Sequence, residues 1–227
     1  AFFGPSAFID LIHQLQLDIT GADISFCAPL SFNAEIKEGD IYMSDMFNLY
    51  KYENLLYTMR LTGHEIKGFL EMSYALWTNQ MQSPDDHLLL LNEKDEGFGR
   101  LKNPSYNFDS AAGILYTVDV TQPEGKKITI TGLADGTPFD LNRTYTVAVN
   151  SYRGNGGGDL LTKGAGIPKE ELASRIVSAT DKDLRYYLMK RIEELGTLDP
   201  HPLNQWRFVP EEWVKPAAER DRKVLFE

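Results

Sequence analysis

Cysteine is almost absent from this sequence. Cys27 is the only one among 227 residues, which excludes a disulfide framework and a thiolate metal cluster. It lies within the apolar segment ADISFCAPL, which has the pattern of a strand, and we expect a buried, unreactive thiol there. A single cysteine is compatible with a reducing cytosol and also with an export compartment.

Histidine is scarce, and motifs that assemble catalytic sites are missing. The four histidines, His13, His64, His87 and His201, are far apart along the chain, and no two of them have HxH or HxxxH spacing. They therefore do not give the ligand pattern of a dinuclear metallohydrolase. The sequence has no GxSxG elbow and no SxxK pair, and GNGGGD lacks the lysine and hydroxyl residue of a phosphate-binding loop. We expect no catalytic residue and no metal site in this chain.

Positive charge and long apolar runs are also lacking. The formal net charge is −10 at pH 7, which argues against a nucleic-acid polymer or an anionic membrane as the main partner but allows a small nucleotide. All apolar runs are well below the about 18 residues that span a bilayer. The first segment, AFFGPSAFIDLIH, has the pattern of an amphipathic helix, so we expect any export signal to lie outside this sequence.

Helical and strand patterns alternate and predict one α+β domain over residues 1–227, with a mixed β-sheet flanked by helices. Helices are expected after Ser6 and after a capping box formed by Thr62 and Glu65. Two more are expected after Pro168 and after Thr180, taken as an N-cap. The predicted strands are DISFCAP, NLLYTMRLT, GILYTVDV, KKITITGL and YTVAV.

Two stretches have no clear periodicity. Residues 79–109 are polar and long for a loop in a compact domain, which is typical of a functional or mobile segment. The tail from residue 202 predicts a short strand followed by a charged, loosely held segment.

A glycine-rich turn follows the predicted strand YTVAV, in the segment SYRGNGGGD. Consecutive glycines permit unusual backbone conformations and a close approach of the backbone to another group. Tyr152 precedes them, and Tyr50, Tyr52 and Tyr57 surround the start of NLLYTMRL. An aromatic side chain at a loop end can stack on a nucleobase, but it can equally cover the edge of the sheet. The residue pattern alone leaves both readings open and favours packing.

Three longer segments together resemble the C-terminal domain of the 5′-nucleotidase family. They are DMFNLYKYENLLYTMRLTGHEIKGFLEMS, YNFDSAAGILYTVDVTQP and AVNSYRGNGGGD, in the family's order and spacing. The likeness extends from Phe3 to Phe208 and is greatest to bacterial 2′,3′-cyclic-nucleotide 2′-phosphodiesterase/3′-nucleotidases. The segment CAPLSFNAEI lacks the arginine that many 5′-nucleotidases carry after the first strand, which fits this branch.

The resemblance implies that this chain is the second domain of a nucleotide phosphohydrolase. An N-terminal metallophosphoesterase domain of the same polypeptide, absent from this sequence, would hold two divalent metal ions and hydrolyse the phosphoester. This domain would bind the nucleoside part of the substrate and present its phosphate to those metals. The resemblance also implies a periplasmic or cell-surface location.

The resemblance further implies which residues bind substrate. The family's two base-stacking aromatics match Tyr52 and Tyr152. Arg153 is expected either to contact phosphate or to pair with a surface carboxylate. The remaining expected substrate-binding residues are Ser31, Asn33, Gly113, Asn155, Gly156, Gly157 and Asp159. Two alternatives remain, a stand-alone nucleoside-binding module without catalysis and a structural domain whose aromatics are only core.

Overall fold

Helices and strands combine in an α+β fold, as the sequence predicts. The structure is a computed structural model that describes residues 1–30, 32, 35–95 and 99–227. The strands are β1 (Ile24–Cys27), β2 (Leu55–Thr62), β3 (Ser110–Ala112), β4 (Ile114–Asp119), β5 (Ile128–Leu133), β6 (Thr144–Asn150), β7 (Ile176–Asp183) and β8 (Trp206–Val209). The helices are α1 (Ala7–Thr20), α2 (Met43–Leu49), α3 (Gly63–Trp77), α4 (Ser151–Gly154), α5 (Leu172–Arg175), α6 (Leu184–Leu195) and α7 (Glu211–Phe226).

The larger sheet is mixed, which confirms the expected architecture. Its strand order is β3-β1-β6-β2-β7, with β1 parallel to β6 and the other neighbours antiparallel. The register pairs Ile24 with Val147 and Leu56 with Asn150. The carboxyl ends of β1 and β6 therefore lie at one edge of the sheet, next to the start of β2. The glycine-rich segment begins at this edge.

Helix α3 joins the larger sheet to a smaller one of order β5-β4-β8. On one side, the ring of Phe69 stacks on Phe26 of β1 with centroids 4.0 Å apart. On the other, Tyr74 contacts Trp206 of β8 at 5.5 Å, and its hydroxyl lies 2.9 Å from that of Tyr116 in β4. Because α3 buries aromatic side chains on both faces, it fixes the two sheets to each other.

Local sequence signals explain where several elements begin. Thr62 Oγ1 accepts a hydrogen bond from the Glu65 amide at 3.3 Å, and Glu65 Oε2 accepts from the Thr62 amide at 2.7 Å, which confirms the capping box of α3. Ser6 is the N-cap residue of α1, also as predicted.

Cys27 is buried in β1, and burial raises the pKa of its thiol, so the expected inert thiol is confirmed.

The predicted helix start at Thr180 is wrong. Thr180 lies within β7, where its hydroxyl accepts from the Leu56 amide at 2.9 Å. Asp183 caps α6 instead, because its carboxylate accepts from the Tyr186 amide at 3.0 Å. The helix predicted after Pro168 is correspondingly short, since the chain enters β7 soon after α5. β7 is a mostly exposed edge strand, so it lacks the apolar alternation that identifies a strand in sequence.

The prediction of a loosely held C-terminal segment is wrong. It forms α7, which buries Val214, Ala217 and Asp221. Asp221 Oδ2 accepts a hydrogen bond from the amide of Leu89 at 2.8 Å, so α7 is tied to the polar segment 79–109. That segment is itself anchored, because Leu89 and Leu101 are buried in the core.

Candidate functional site

Tyr152 is presented by a single helical turn at the end of β6. Asn150 Oδ1 accepts a hydrogen bond from the Arg153 amide at 2.8 Å and caps this turn, α4. The Tyr152 side chain on this turn is exposed, at 45% of its full accessible surface.

Tyr52 lies at the same edge of the larger sheet as Tyr152. It lies between α2 and β2 and is 39% exposed. Since the register of β2 and β6 sets Leu56 opposite Asn150, the loop before β2 lies beside α4. The two tyrosines line one open cavity of about 270 Å³. Its described lining is Leu30, Tyr52, Asn54, Tyr106, Asn150 and Tyr152.

Four of these lining residues were not predicted as site residues. Leu30 lies in the connection after β1, Asn54 is two positions after Tyr52, and Asn150 is two positions before Tyr152. The proximity of the two asparagines to the predicted tyrosines was the available signal. The signal for Tyr106 was weaker, namely its place in the long polar segment.

Asn54 is fixed against the buried Tyr50. Its side-chain amide donates to the Tyr50 hydroxyl at 3.4 Å, and burial raises the pKa of that hydroxyl, which therefore stays protonated at neutral pH. The cavity thus combines aromatic faces with neutral amide groups, a lining suited to a flat, polar-edged heterocycle.

Arg153 lies beneath the cavity and pairs with a buried carboxylate. It is 1% exposed, and its Nη2 is 2.6 Å from Asp109 Oδ2 and 2.7 Å from the carbonyl oxygen of Tyr106. Its Nη1 donates to the carbonyl oxygen of Gly157 at 2.6 Å and to Asn107 Oδ1 at 3.2 Å. Burial raises the pKa of Asp109, and the guanidinium opposes that shift.

Of the two roles expected for Arg153, this placement favours the ion pair over the phosphate contact. The carboxylate partner is the buried Asp109, whereas the expected partner was a carboxylate on the surface. The guanidinium joins the glycine-rich segment to residues 106–109. Breaking such a pair by removing one partner leaves an uncompensated buried charge, so the pair holds the two segments together.

The glycines have separate steric roles. A Cβ on Gly157 would lie 2.5 Å from the Tyr152 ring, so that ring rests directly on glycine backbone. Gly158 has φ +70°, and a Cβ there would lie 2.2 Å from Arg153 Nη1. Gly156 has φ +93° and borders a different, shallow depression that also contains Asp159. The glycine run is therefore required by backbone conformation and close packing.

The other predicted site residues are not brought into the described lining of the cavity. Asp159 Oδ2 forms an ion pair with Lys163 Nζ at 2.7 Å, and Asn155 is exposed beside α4. Gly113 follows β3, whose register places it near the start of β1, about four residues of strand or roughly 13 Å from the cavity edge. A Cβ on Gly113 would lie 2.2 Å from the Asp23 carbonyl oxygen, which gives this glycine a packing role.

Ser31 and Asn33 lie outside the described residues. Within the described ranges, His, Cys, Asp and Glu side chains form no group of three or more that could hold a metal ion. No helix in those ranges is both long and apolar enough to cross a membrane.

The family model and the relatives that match this chain agree with each other. The sequence profile described as "5′-nucleotidase, C-terminal domain" matches residues 1–163. The chain is 31% identical over 191 residues to the trifunctional nucleotide phosphoesterase protein YfkN of Bacillus subtilis, covering 79% of this chain and 12% of YfkN. It is 30% identical over 193 residues to the 2′,3′-cyclic-nucleotide 2′-phosphodiesterase/3′-nucleotidase of Salmonella typhimurium, covering 80% of this chain and 28% of that protein.

A solved structure shares the fold. The 5′-nucleotidase precursor of Thermus thermophilus superposes with a TM-score of 0.66 and 20% identity, covering 92% of this chain and 36% of the solved chain. The present chain therefore spans between about an eighth and a third of the length of these relatives.

Proposed function

Because the chain belongs to the 5′-nucleotidase C-terminal domain family, we propose that it is the substrate-recognition domain of a nucleotide phosphohydrolase. Tyr52 and Tyr152 hold the nucleobase between their rings. The observation that carries this proposal is the shared cavity of about 270 Å³, lined by both tyrosines.

The lining chemistry supports a base rather than a sugar or phosphate as the main ligand group. Stacking on aromatic rings is tolerant of base identity, because every base presents a π-face. The amides of Asn54 and Asn150 lie at the same cavity and provide hydrogen-bonding groups for the base edge. Arg153 and Asp159 are engaged in ion pairs with protein carboxylate and ammonium groups, so the phosphate is left to point out of the cavity.

The chemical step belongs to a second domain in this proposal. An N-terminal metallophosphoesterase domain of the same polypeptide carries two divalent metal ions and cleaves the phosphoester. This division fits relatives that are named as phosphoesterases and are several times longer than the matched region. Export to the periplasm or the cell surface is part of the same proposal, and the Thermus relative is described as a precursor.

Titration of the chain with adenosine tests the stack. We expect saturable binding, followed by NMR chemical shifts or by calorimetry. Each single variant, Tyr52→Ala and Tyr152→Ala, should weaken binding by about 1–3 kcal/mol, since that is the usual loss when a stacked aromatic is removed. The double variant should bind no adenosine in the measured range.

Tyr186→Ala is the matched control, because Tyr186 has the same 39% exposure as Tyr52 but lies on α6, outside the described lining. It should bind adenosine like the wild type. Unchanged affinity in the double variant would refute the stack. A wild-type chain that binds no nucleoside would favour the alternative of a purely structural domain.

A further inference from the structure

Tyr106 is the third aromatic side chain of the cavity, and the two-ring stack leaves its role unassigned. Its ring is almost perpendicular to that of Tyr152, with an interplanar angle of 88° and centroids 6.5 Å apart. A base that stacks on Tyr152 lies parallel to the Tyr152 ring. The plane of such a base is nearly perpendicular to the Tyr106 ring, so a contact between the two is edge-to-face.

The backbone that carries Tyr106 is held firmly. Its carbonyl oxygen accepts from Arg153 Nη2 at 2.7 Å, and the same nitrogen is 2.6 Å from Asp109. Ser105 Oγ donates to the carbonyl oxygen of Pro29 at 3.0 Å, just before Leu30 of the cavity lining. A wall supported by a buried ion pair and by the connection after β1 does not yield easily to a ligand.

We propose that Tyr106 is a specificity-determining residue that forms the end wall of the base slot and favours purines over pyrimidines. The inference rests on the proposed stack of Tyr52 and Tyr152. A purine has a second ring, so it extends further in its own plane and reaches Tyr106 in an edge-to-face contact. A pyrimidine stacks on the same two tyrosines but ends short of this wall.

Affinities for adenosine and cytidine, measured side by side in three proteins, test the wall. The proteins are the wild-type chain, Tyr106→Ala and Tyr106→Phe. Tyr106→Ala should weaken adenosine binding about three- to tenfold, the usual range for an aromatic edge contact, and leave cytidine binding within about twofold of the wild type. Tyr106→Phe keeps the ring and should preserve both affinities. Thermal unfolding of each variant checks that the cavity remains folded.

The possible results separate this inference from the proposal on which it rests. Equal losses for adenosine and cytidine in Tyr106→Ala would mean that the ring only supports Tyr152, and would overturn the end wall while leaving the stack in place. A changed adenosine-to-cytidine ratio in Tyr106→Phe would overturn it too, because the hydroxyl and not the ring would then discriminate. If neither nucleoside binds the wild type, the stack itself fails.

Discussion

At the scale of single residues, Gly157 sets the position of the Tyr152 ring. A Cβ built on Gly157 would approach three atoms of that ring to between 2.5 and 2.7 Å. The backbone of Gly157 is not in the left-handed region, so this glycine is needed for space and not for conformation. Its neighbour Gly158 has φ +70° and faces the buried Arg153, so there both requirements apply.

Gly157→Ala is therefore expected to affect binding more than stability. The added methyl displaces the half-exposed Tyr152 ring, which can rotate into solvent, so the free energy of unfolding should change by less than about 1 kcal/mol. Adenosine affinity should fall by an amount approaching that of Tyr152→Ala, about 1–3 kcal/mol. Titration and chemical denaturation of the same variant measure the two effects.

Gly158→Ala provides the contrast for that experiment. Its methyl would collide with Arg153 Nη1 and Asn107 Oδ1 beneath the cavity, at 2.2 and 2.4 Å, so its main effect should be loss of stability. Wild-type adenosine affinity in Gly157→Ala would show that the ring of Tyr152 does not depend on this glycine.

The sequence identifies some of the cavity and not the rest, for a physical reason. Tyr52 and Tyr152 are identified through the resemblance to the 5′-nucleotidase family, because they lie in two of the segments that carry it; the residue pattern alone favours packing for both. Tyr106 comes from a segment without periodicity, and its position depends on an ion pair between Asp109 and Arg153, which are 44 positions apart in the chain. A pairing of that kind leaves no local signal. The same ion pair explains why Arg153, although next to Tyr152, is buried under the cavity.

At the scale of elements, α1 is attached to the larger sheet through a buried histidine. His13 is fully buried, with Nδ1 2.9 Å from Ser25 Oγ in β1 and Nε2 3.1 Å from Ser110 Oγ in β3. Burial lowers the pKa of His13 to about 3. The imidazole is therefore neutral in the folded protein at pH values well above 3.

This buried histidine predicts a pH dependence of stability. The pKa of His13 is about 3 in the folded chain and about 6.5 in the unfolded chain. Between these values the unfolded chain binds a proton that the folded chain does not. The contribution of His13 to the free energy of unfolding should therefore decrease as the pH falls from about 6.5 to about 3, by about 1.4 kcal/mol per pH unit.

His13→Gln isolates the effect, because glutamine can still hydrogen-bond to a hydroxyl but does not titrate. Denaturant unfolding of both proteins between pH 6 and pH 4 should give a shallower pH dependence for the variant. Burial raises the pKa values of Asp10 and Asp109, which act in the opposite direction but are present in both proteins. Parallel pH profiles of the two proteins would contradict the assignment.

Elements with local signals are predicted well, and elements defined by tertiary contacts are not. The caps of α1 and α3 and the apolar strands β1, β2 and β6 follow from sequence. β7 is a mostly exposed edge strand that pairs with β2, so it carries no apolar alternation. α7 looks like a charged tail because only a narrow stripe of it is buried, including Asp221, which binds the Leu89 amide.

At the scale of the whole molecule, the proposed function separates recognition from chemistry. The described residues provide a cavity with aromatic and amide groups, and within them no cluster of potential metal ligands. The relatives that are 30–31% identical to this chain are named for phosphoester hydrolysis, and the chain matches only 12% to 28% of their length. In the proposed function, a nucleotide bound in this open cavity extends its phosphate towards the second domain.

This separation predicts that the chain binds nucleosides but releases no phosphate. Neither 2′,3′-cyclic nucleotides nor 3′- or 5′-monophosphates should be hydrolysed by the chain alone, with or without added Mn²⁺, Co²⁺ or Mg²⁺, because divalent ions need a preformed set of ligands to act on a phosphoester. Phosphate and nucleoside release measure this, with a longer polypeptide that includes the proposed metallophosphoesterase domain as the active control. Tyr52→Ala in that longer protein should raise KM more than it lowers kcat, since the base is remote from the reacting phosphorus. Metal-dependent turnover by the isolated chain would place catalytic groups within these 227 residues and overturn the division of labour.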